Sequence, residues 1–347
     1  MPNIMLTYRC NLNCTYCFAN EFVNKNYADI SLDNFHKAVQ FLTTSGNRTI
    51  GLIGGEPTLH PNFKYILEKI IQDDRISNCI LYTNGILLNQ FVPQLTYRKF
   101  KILVNCNSPI IIGKNAYSQI ISSLDTLIKE YYMKNRITLG INLYSDDMDY
   151  SFIIELLQRY DMHNLRISLT VPNISADREQ NPLDYFYKRK NFLMEFFRNL
   201  ETIKVLPHYD CNVPPSCIWS DSELKYFKDV LEKNGINQSN LIGAQSQCNP
   251  VIDVLPNLQV VRCFGMSDFN KVSINDFDNI SDLRNYFMNL IDANCYHTYA
   301  SSKCMDCYYR KVGKCSQGCL SFQQFKLQAI NAYIENREKR LIDGYKD

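Results

Sequence analysis

Three thiols stand close together near the start of the chain, at Cys10, Cys14 and Cys17, in a C-x3-C-x2-C spacing. In a reducing compartment such thiols serve as metal ligands or reactive groups, not disulfide partners. Three thiolates can hold three irons of a cubane cluster and leave the fourth iron without a protein ligand. An open coordination position separates a catalytic metal centre from a closed structural one. A zinc site on the same three thiols would need a fourth ligand, and His36 and His60 are the nearest histidines in sequence. A second set, Cys304-x2-Cys307-x7-Cys315-x3-Cys319, is also a metal pattern, with a zinc ribbon as its alternative. Upstream of it Cys248 and Cys263 frame a predicted hairpin, and Cys211, Cys217 and Cys295 are further thiols in the same half of the chain. Cys79 and Cys106 stand alone and read as buried core thiols.

These thiols need a scaffold, and the chain is long enough to supply one. Its 347 residues are 46% hydrophobic, enough for a sizeable core, and 14 cysteines are too few for a disulfide-stapled fold of this length. A net charge of +2 argues against nucleic-acid binding through bulk charge. No apolar run approaches the roughly 18 residues that span a bilayer, and the first residues lack a secretion signal. The expected location is therefore cytoplasmic, with no membrane and no nucleic-acid partner.

The first half alternates strand-like and helix-like segments. Strands are predicted at 3–8, 49–53, 78–82, 101–105, 137–143 and 165–170, with amphipathic helices at 31–44, 62–73, 116–132 and 150–160. Such alternation predicts a parallel sheet, open or closed into a partial barrel. Special residues gather in the loops after these strands: the three thiols, then Gly54-Gly55-Glu56-Pro57, Thr83-Asn84-Gly85, Asn105 to Pro109 and Val171-Pro172-Asn173. In a parallel α/β sheet these loops share one face, where active sites are built. The later half reads as helices at 185–200, 220–233, 281–291 and 321–337, a strand at 203–206 and a hairpin over 251–263 turning at Pro256-Asn257. The expected organisation is a core domain over 1–180, a bridging region over 181–247 and a cysteine-rich domain over 248–347.

Cys10-Asn-Leu-Asn-Cys14-Thr-Tyr16-Cys17, followed by Gly54-Gly55-Glu56-Pro57 after the next strand, closely resembles the radical S-adenosylmethionine (SAM) superfamily over about residues 1–175. The resemblance implies an α/β fold, a partial (β/α)6 TIM-like barrel. It implies that Cys10, Cys14 and Cys17 are the catalytic ligands of a [4Fe–4S] cluster whose open iron is chelated by SAM. It further implies reductive cleavage of SAM to methionine and a 5′-deoxyadenosyl radical, with a low-potential electron donor as partner. Gly54, Gly55, Glu56 and Pro57 are then expected at the methionine end of SAM, and Tyr16 and Phe18 beside the adenine. Asn105, Asn107, Asn142 and Arg166 are further candidates for SAM contact, although Asn105-Cys106-Asn107-Ser108-Pro109 replaces an acidic residue of the usual pattern by an amide. A structural salt bridge is the alternative for Arg166.

The later thiols resemble the SPASM or twitch extensions of this superfamily, α+β units that carry auxiliary Fe–S clusters. The resemblance is loosened here. The hairpin turns on Pro256-Asn257-Leu258, the run has a seven-residue gap, and no cysteine follows Cys319. It places Cys248, Cys263 and Cys319 with one auxiliary cluster and Cys304, Cys307 and Cys315 with another. Cys211 or Cys217 could complete the first, and Cys295 or His297 the second; one cluster instead of two is the alternative. Relatives of this kind mostly modify peptides or proteins after translation, so a ribosomal peptide or protein is the expected substrate. With Cys10 so early, a separate leader-binding partner is expected. Sulfatase maturation fits less well, because Phe264 stands where those relatives place an aspartate. Two rivals stay open: a radical SAM enzyme acting on a small-molecule precursor, and a non-catalytic zinc or Fe–S structural protein.

Overall fold

The computed structural model describes residues 1–17, 19, 22–25, 28–170, 181–235, 247–267, 269–323, 326 and 332. Phe18, the loop after the sixth strand and most of the expected 321–337 helix fall outside them.

Among the described residues ten strands form one sheet in the order β10-β9-β8-β1-β2-β3-β4-β5-β6-β7. The strands are β1 Asn3–Met5, β2 Thr49–Ile53, β3 Asn78–Thr83, β4 Phe100–Asn105, β5 Ile137–Leu143, β6 Asn164–Leu169 and β7 Leu206–Tyr209, then β8 Asp253–Val254, β9 Gln259–Val261 and β10 Val272–Ser273. From β1 to β7 each strand pairs in parallel with the next. Parallel neighbours need crossovers, and helices Leu32–Thr43, Phe63–Gln72, Lys114–Asp125, Ser151–Arg159 and Pro182–Thr202 provide five of the six, with the short helical turns Leu88–Phe91 and Val92–Leu95 between β3 and β4. The architecture is an open, partial (β/α) barrel. The expected hairpin is real but does not stand apart, because β8 adds in parallel to the free edge of β1.

Alternation along the strands separates two faces. Ile102 and Val104, Leu139 and Ile141, and Leu165 and Ile167 lie in the main core with Phe35, Leu42, Phe63 and Leu67 of the covering helices. The intervening residues Asn105, Gly140, Asn142, Arg166 and Ser168 therefore face the concave side, since successive side chains of a strand point to opposite faces. The helices are set by ordinary local chemistry. Ser31 caps Leu32–Thr43 by accepting from the Asn34 N–H, and Ser220 and Glu223 form a reciprocal capping box on Asp221–Lys233. The predicted helix at 116–132 begins at Lys114, and its α-helical part ends at Asp125, passing into a π turn over Thr126–Glu130.

Candidate active site

The loop after β1 is held by the loop after β2. Gly55 N–H donates to Thr7 O at 2.8 Å and Glu56 N–H to Arg9 O at 2.7 Å. The two backbones run so close that a Cβ on Gly55 would lie 2.3 Å from Arg9 O, and one on Gly54 2.8 Å from Thr7 O. Glycine is required there by contact. The result is a fixed platform immediately before Cys10, whose N–H also donates to Asn24 Oδ1 at 2.9 Å.

Glu56 is buried, and its carboxylate is engaged inside the protein. Oε1 accepts from the Thr58 and Thr83 hydroxyls, both at 2.7 Å, and Oε2 accepts from the Asn84 N–H at 2.7 Å. Burial pushes its pKa up while these donors pull it back. The carboxylate thus ties the loop after β2 to the loop after β3. Asn84 in turn donates to Asn11 Oδ1 at 2.7 Å, inside the thiol loop.

Cys10, Cys14 and Cys17 are all partly buried. Burial pushes Cys10 up to about 11, and the negative charges of Glu56, Cys17 and Cys14 add to the rise. Cys14 and Cys17 are also raised, chiefly by burial. Among the described residues no three Cys, His, Asp or Glu side chains are gathered as around a single metal ion. The donor chemistry fits an iron–sulfur cluster: three thiols on one loop, each within electrostatic reach of another.

Tyr16 bridges three loops. Its hydroxyl donates to Asn107 Oδ1, and its ring stacks on Tyr144 at 4.2 Å between centroids and 2° between planes. Cys14 Sγ lies 4.0 Å from the same amide oxygen. Tyr144 follows β5 and carries no spacing signal in the sequence; only its position after a parallel strand could have marked it.

A second constellation lies on the concave face. Arg166 Nη1 donates to Asn142 Oδ1 at 2.9 Å and to Asn105 Oδ1 at 3.3 Å. Its Nε and Nη2 donate to Asp210 Oδ2 at 3.2 and 3.0 Å. The register explains the meeting: Asn105 pairs with Gly140, and Gly140 with Arg166. Gly140 makes room, since a Cβ there would lie 3.2 Å from Asn105 Oδ1 and 3.3 Å from Arg166 Cδ. Asp210, the ion-pair partner, carried no signal in the sequence.

The later thiols fall into two groups. Cys248 is hydrogen-bonded to Cys319, and that bond, with the Arg262 guanidinium, holds its thiol well below the ordinary value despite burial. Cys263 and Cys319 both lie within electrostatic reach of Cys248 and Cys211. Cys211 Sγ sits 3.6 Å from Ser168 Oγ at the end of β6. Cys217 lies instead within reach of Cys315, Cys304 and Cys307. Tyr187 donates from its hydroxyl to Cys217 O at 3.2 Å, and the Lys303 ammonium lies 4.9 Å from the Tyr187 ring centroid. Cys295 lines a small cavity with Cys248, Asp292, Ser316, Gln317 and Leu320. It thus stands beside the first group, not the second, and burial pushes it up to about 12. The side chain of His297 falls outside the described residues.

Residues 4–149 match the model of the Radical SAM superfamily. A GTP 3′,8-cyclase of Desulforamulus reducens is 36% identical over 94 residues, 26% of this chain and 29% of that protein. A probable GTP 3′,8-cyclase of Methanococcus maripaludis strain C7 is 28% identical over 215 residues, 61% of this chain and 63% of that protein. The matches span less than two thirds of the length of these curated relatives. Among solved structures, Streptococcus suis SuiB bound to S-adenosylmethionine superposes with a TM-score of 0.59 at 14% identity, covering 91% of this chain and 72% of SuiB. SuiB bound to precursor peptide SuiA gives a TM-score of 0.58 at 16% identity, over 91% of this chain and 71% of SuiB. At such identities the likeness is one of fold.

Proposed function

From the match of residues 4–149 to the Radical SAM superfamily model, we propose an enzyme that modifies a ribosomal peptide or protein by cross-linking, epimerisation or oxidation. Cys10, Cys14 and Cys17 would hold the [4Fe–4S] cluster and leave one iron for SAM. When bound, the cluster and SAM supply a 5′-deoxyadenosyl radical that takes a hydrogen atom from the substrate. The Gly54-Gly55 backbone, held against Thr7 and Arg9, would meet the methionine end of SAM. Tyr16, fixed by Tyr144 and Asn107, would offer its ring to the adenine. Arg166 draws the amide oxygens of Asn105 and Asn142 toward itself, which turns both amide NH2 groups away from it as candidate donors to a ribose or carboxylate.

The observation that carries the reading is the division of eight later thiols into two groups of four. Cys211, Cys248, Cys263 and Cys319 would hold one auxiliary cluster, and Cys217, Cys304, Cys307 and Cys315 a second. Oxidation of a substrate radical needs a place for its electron, and clusters in the protein supply one. Precursor peptide SuiA bound to SuiB, a protein of like fold, supports a peptide substrate. No helix among the described residues is long and apolar enough to cross a membrane, and free thiols suit a reducing cytoplasm.

A second reading, action on a small-molecule cofactor precursor, is favoured by the curated relatives named GTP 3′,8-cyclase, which are closer in sequence than SuiB. One experiment separates the readings. The anaerobically loaded enzyme is given SAM and a low-potential reductant, and 5′-deoxyadenosine is measured with candidate peptides from neighbouring genes and with GTP. Cleavage that is lost in Cys14→Ala and is coupled to a mass change in a peptide is the expected result. Coupling to GTP alone would overturn the peptide reading, and absence of both iron and cleavage would overturn the enzyme.

A further inference from the structure

Arg262 is the largest fully buried side chain in the molecule's described residues, and a buried charge needs partners. It has them on both sides. Nε and Nη2 donate to the two Asp292 carboxylate oxygens at 2.6 and 2.9 Å. Nη1 turns the other way, 3.5 Å from Cys248 Sγ and 4.0 Å from Cys263 Sγ, and Nη2 also donates to Cys248 O. The guanidinium is thus a wedge between one carboxylate and two thiols of the first auxiliary group. Its backbone is fixed as well: Arg262 O accepts from both Val251 and Ile252 N–H, at 3.1 and 3.0 Å, a bulge that puts two residues of one strand opposite one of the other.

A mere structural cation would be satisfied by Asp292 alone. The orientation here is more specific, because the positive edge faces sulfur and the compensating carboxylate lies behind it. Hydrogen bonds and charge at cluster sulfurs set the reduction potential of an iron–sulfur centre. The one-electron-reduced form carries one more negative charge than the oxidised form, so a donor and cation at the sulfurs favour reduction.

We propose that Arg262 and Asp292 act as a paired potential-setting device for the cluster held by Cys211, Cys248, Cys263 and Cys319: Arg262 raises its potential and Asp292 limits the rise. Arg262 is a positioning residue for electron acceptance and touches no substrate. The proposal rests on the auxiliary-cluster reading above.

The test is a redox titration of the anaerobically loaded holoenzyme against mediators, read by electron paramagnetic resonance, with iron counted per chain. The signal that disappears in Cys263→Ala assigns the potential to this cluster. In Arg262→Gln the reduced-to-oxidised ratio at a fixed potential should fall about tenfold, a shift of about 59 mV for one electron. In Asp292→Asn it should rise, the opposite sign, which loss of packing alone would not produce. Full iron with an unmoved potential in both variants overturns the proposal. If Arg262→Gln does not fold, Asp292→Asn decides alone: an upward shift supports the device and no shift overturns it. A wild-type enzyme with iron only for the first three thiols instead overturns the auxiliary-cluster reading itself.

Discussion

Asp253 shows how much one buried side chain can do. It accepts from Asn3 Nδ2 at 2.7 Å and from the Phe264 N–H at 3.1 Å, clamping β1 to β8 and to the residue after Cys263. Burial pushes its pKa up to about 7, partly offset by those two donors. The folded state therefore holds this proton more tightly than an unfolded chain would. Its contribution to stability is complete below about pH 4, the ordinary carboxylate value, and is lost as pH rises through about 7. Asp253→Asn cannot ionise, so its stability should vary less between pH 5 and 8 than that of the parent, as read by urea denaturation across that range. An unchanged slope would mean that Asp253 does not titrate there. Nothing in the sequence marked Asp253: an acid within a hairpin reads as solvent-facing until the parallel pairing of β8 with β1 covers it.

At the scale of elements, the platform before Cys10 depends on backbone contact between two loops. Gly55→Ala would force its Cβ against Arg9 O, and the Thr7 and Arg9 hydrogen bonds with it. Overpacking of this kind costs about 1–3 kcal/mol. The variant should show a lowered denaturation midpoint and lose iron from the first cluster before it loses secondary structure, measured by circular dichroism alongside iron content. Much of this level was legible in advance. The alternation of strands and helices, the crowding of special residues after the strands and the Gly54-Gly55-Glu56-Pro57 segment all follow from local pattern. What pattern could not reach were partners that meet only through the register of parallel strands: Asp210 with Arg166, Tyr144 with Tyr16 and Ser168 with Cys211. Their sequence separations are set by whole crossovers, and no local period records them.

At the scale of the molecule, the stretch after β7 carries Cys211 to one thiol group and Cys217 to the other. Spacing had offered either residue to the first group and Cys295 to the second. The placement separates these by a count. Cys217→Ala should lower iron by about four per chain and leave the first auxiliary signal in place, while Cys295→Ala should retain all of its iron. Equal losses from the two variants would reject the grouping.

The edge position of β8 has a further consequence, for the order in which the chain is assembled. β1 is made before both of its neighbours, β2 on one side and β8 on the other, and Asn3 meets Asp253 across 250 residues. Closing so long a loop costs entropy before any contact rewards it. On a ribosome adding about 5–20 residues per second, the strand that leads into Cys10 would wait on the order of ten seconds or more for its second neighbour to be synthesised. Until then one side of β1 is an unpaired sheet edge beside three reactive thiols. Cluster loading before β8 docks would meet an unfinished site, so the docking of β8 and the insertion of iron are naturally ordered in time.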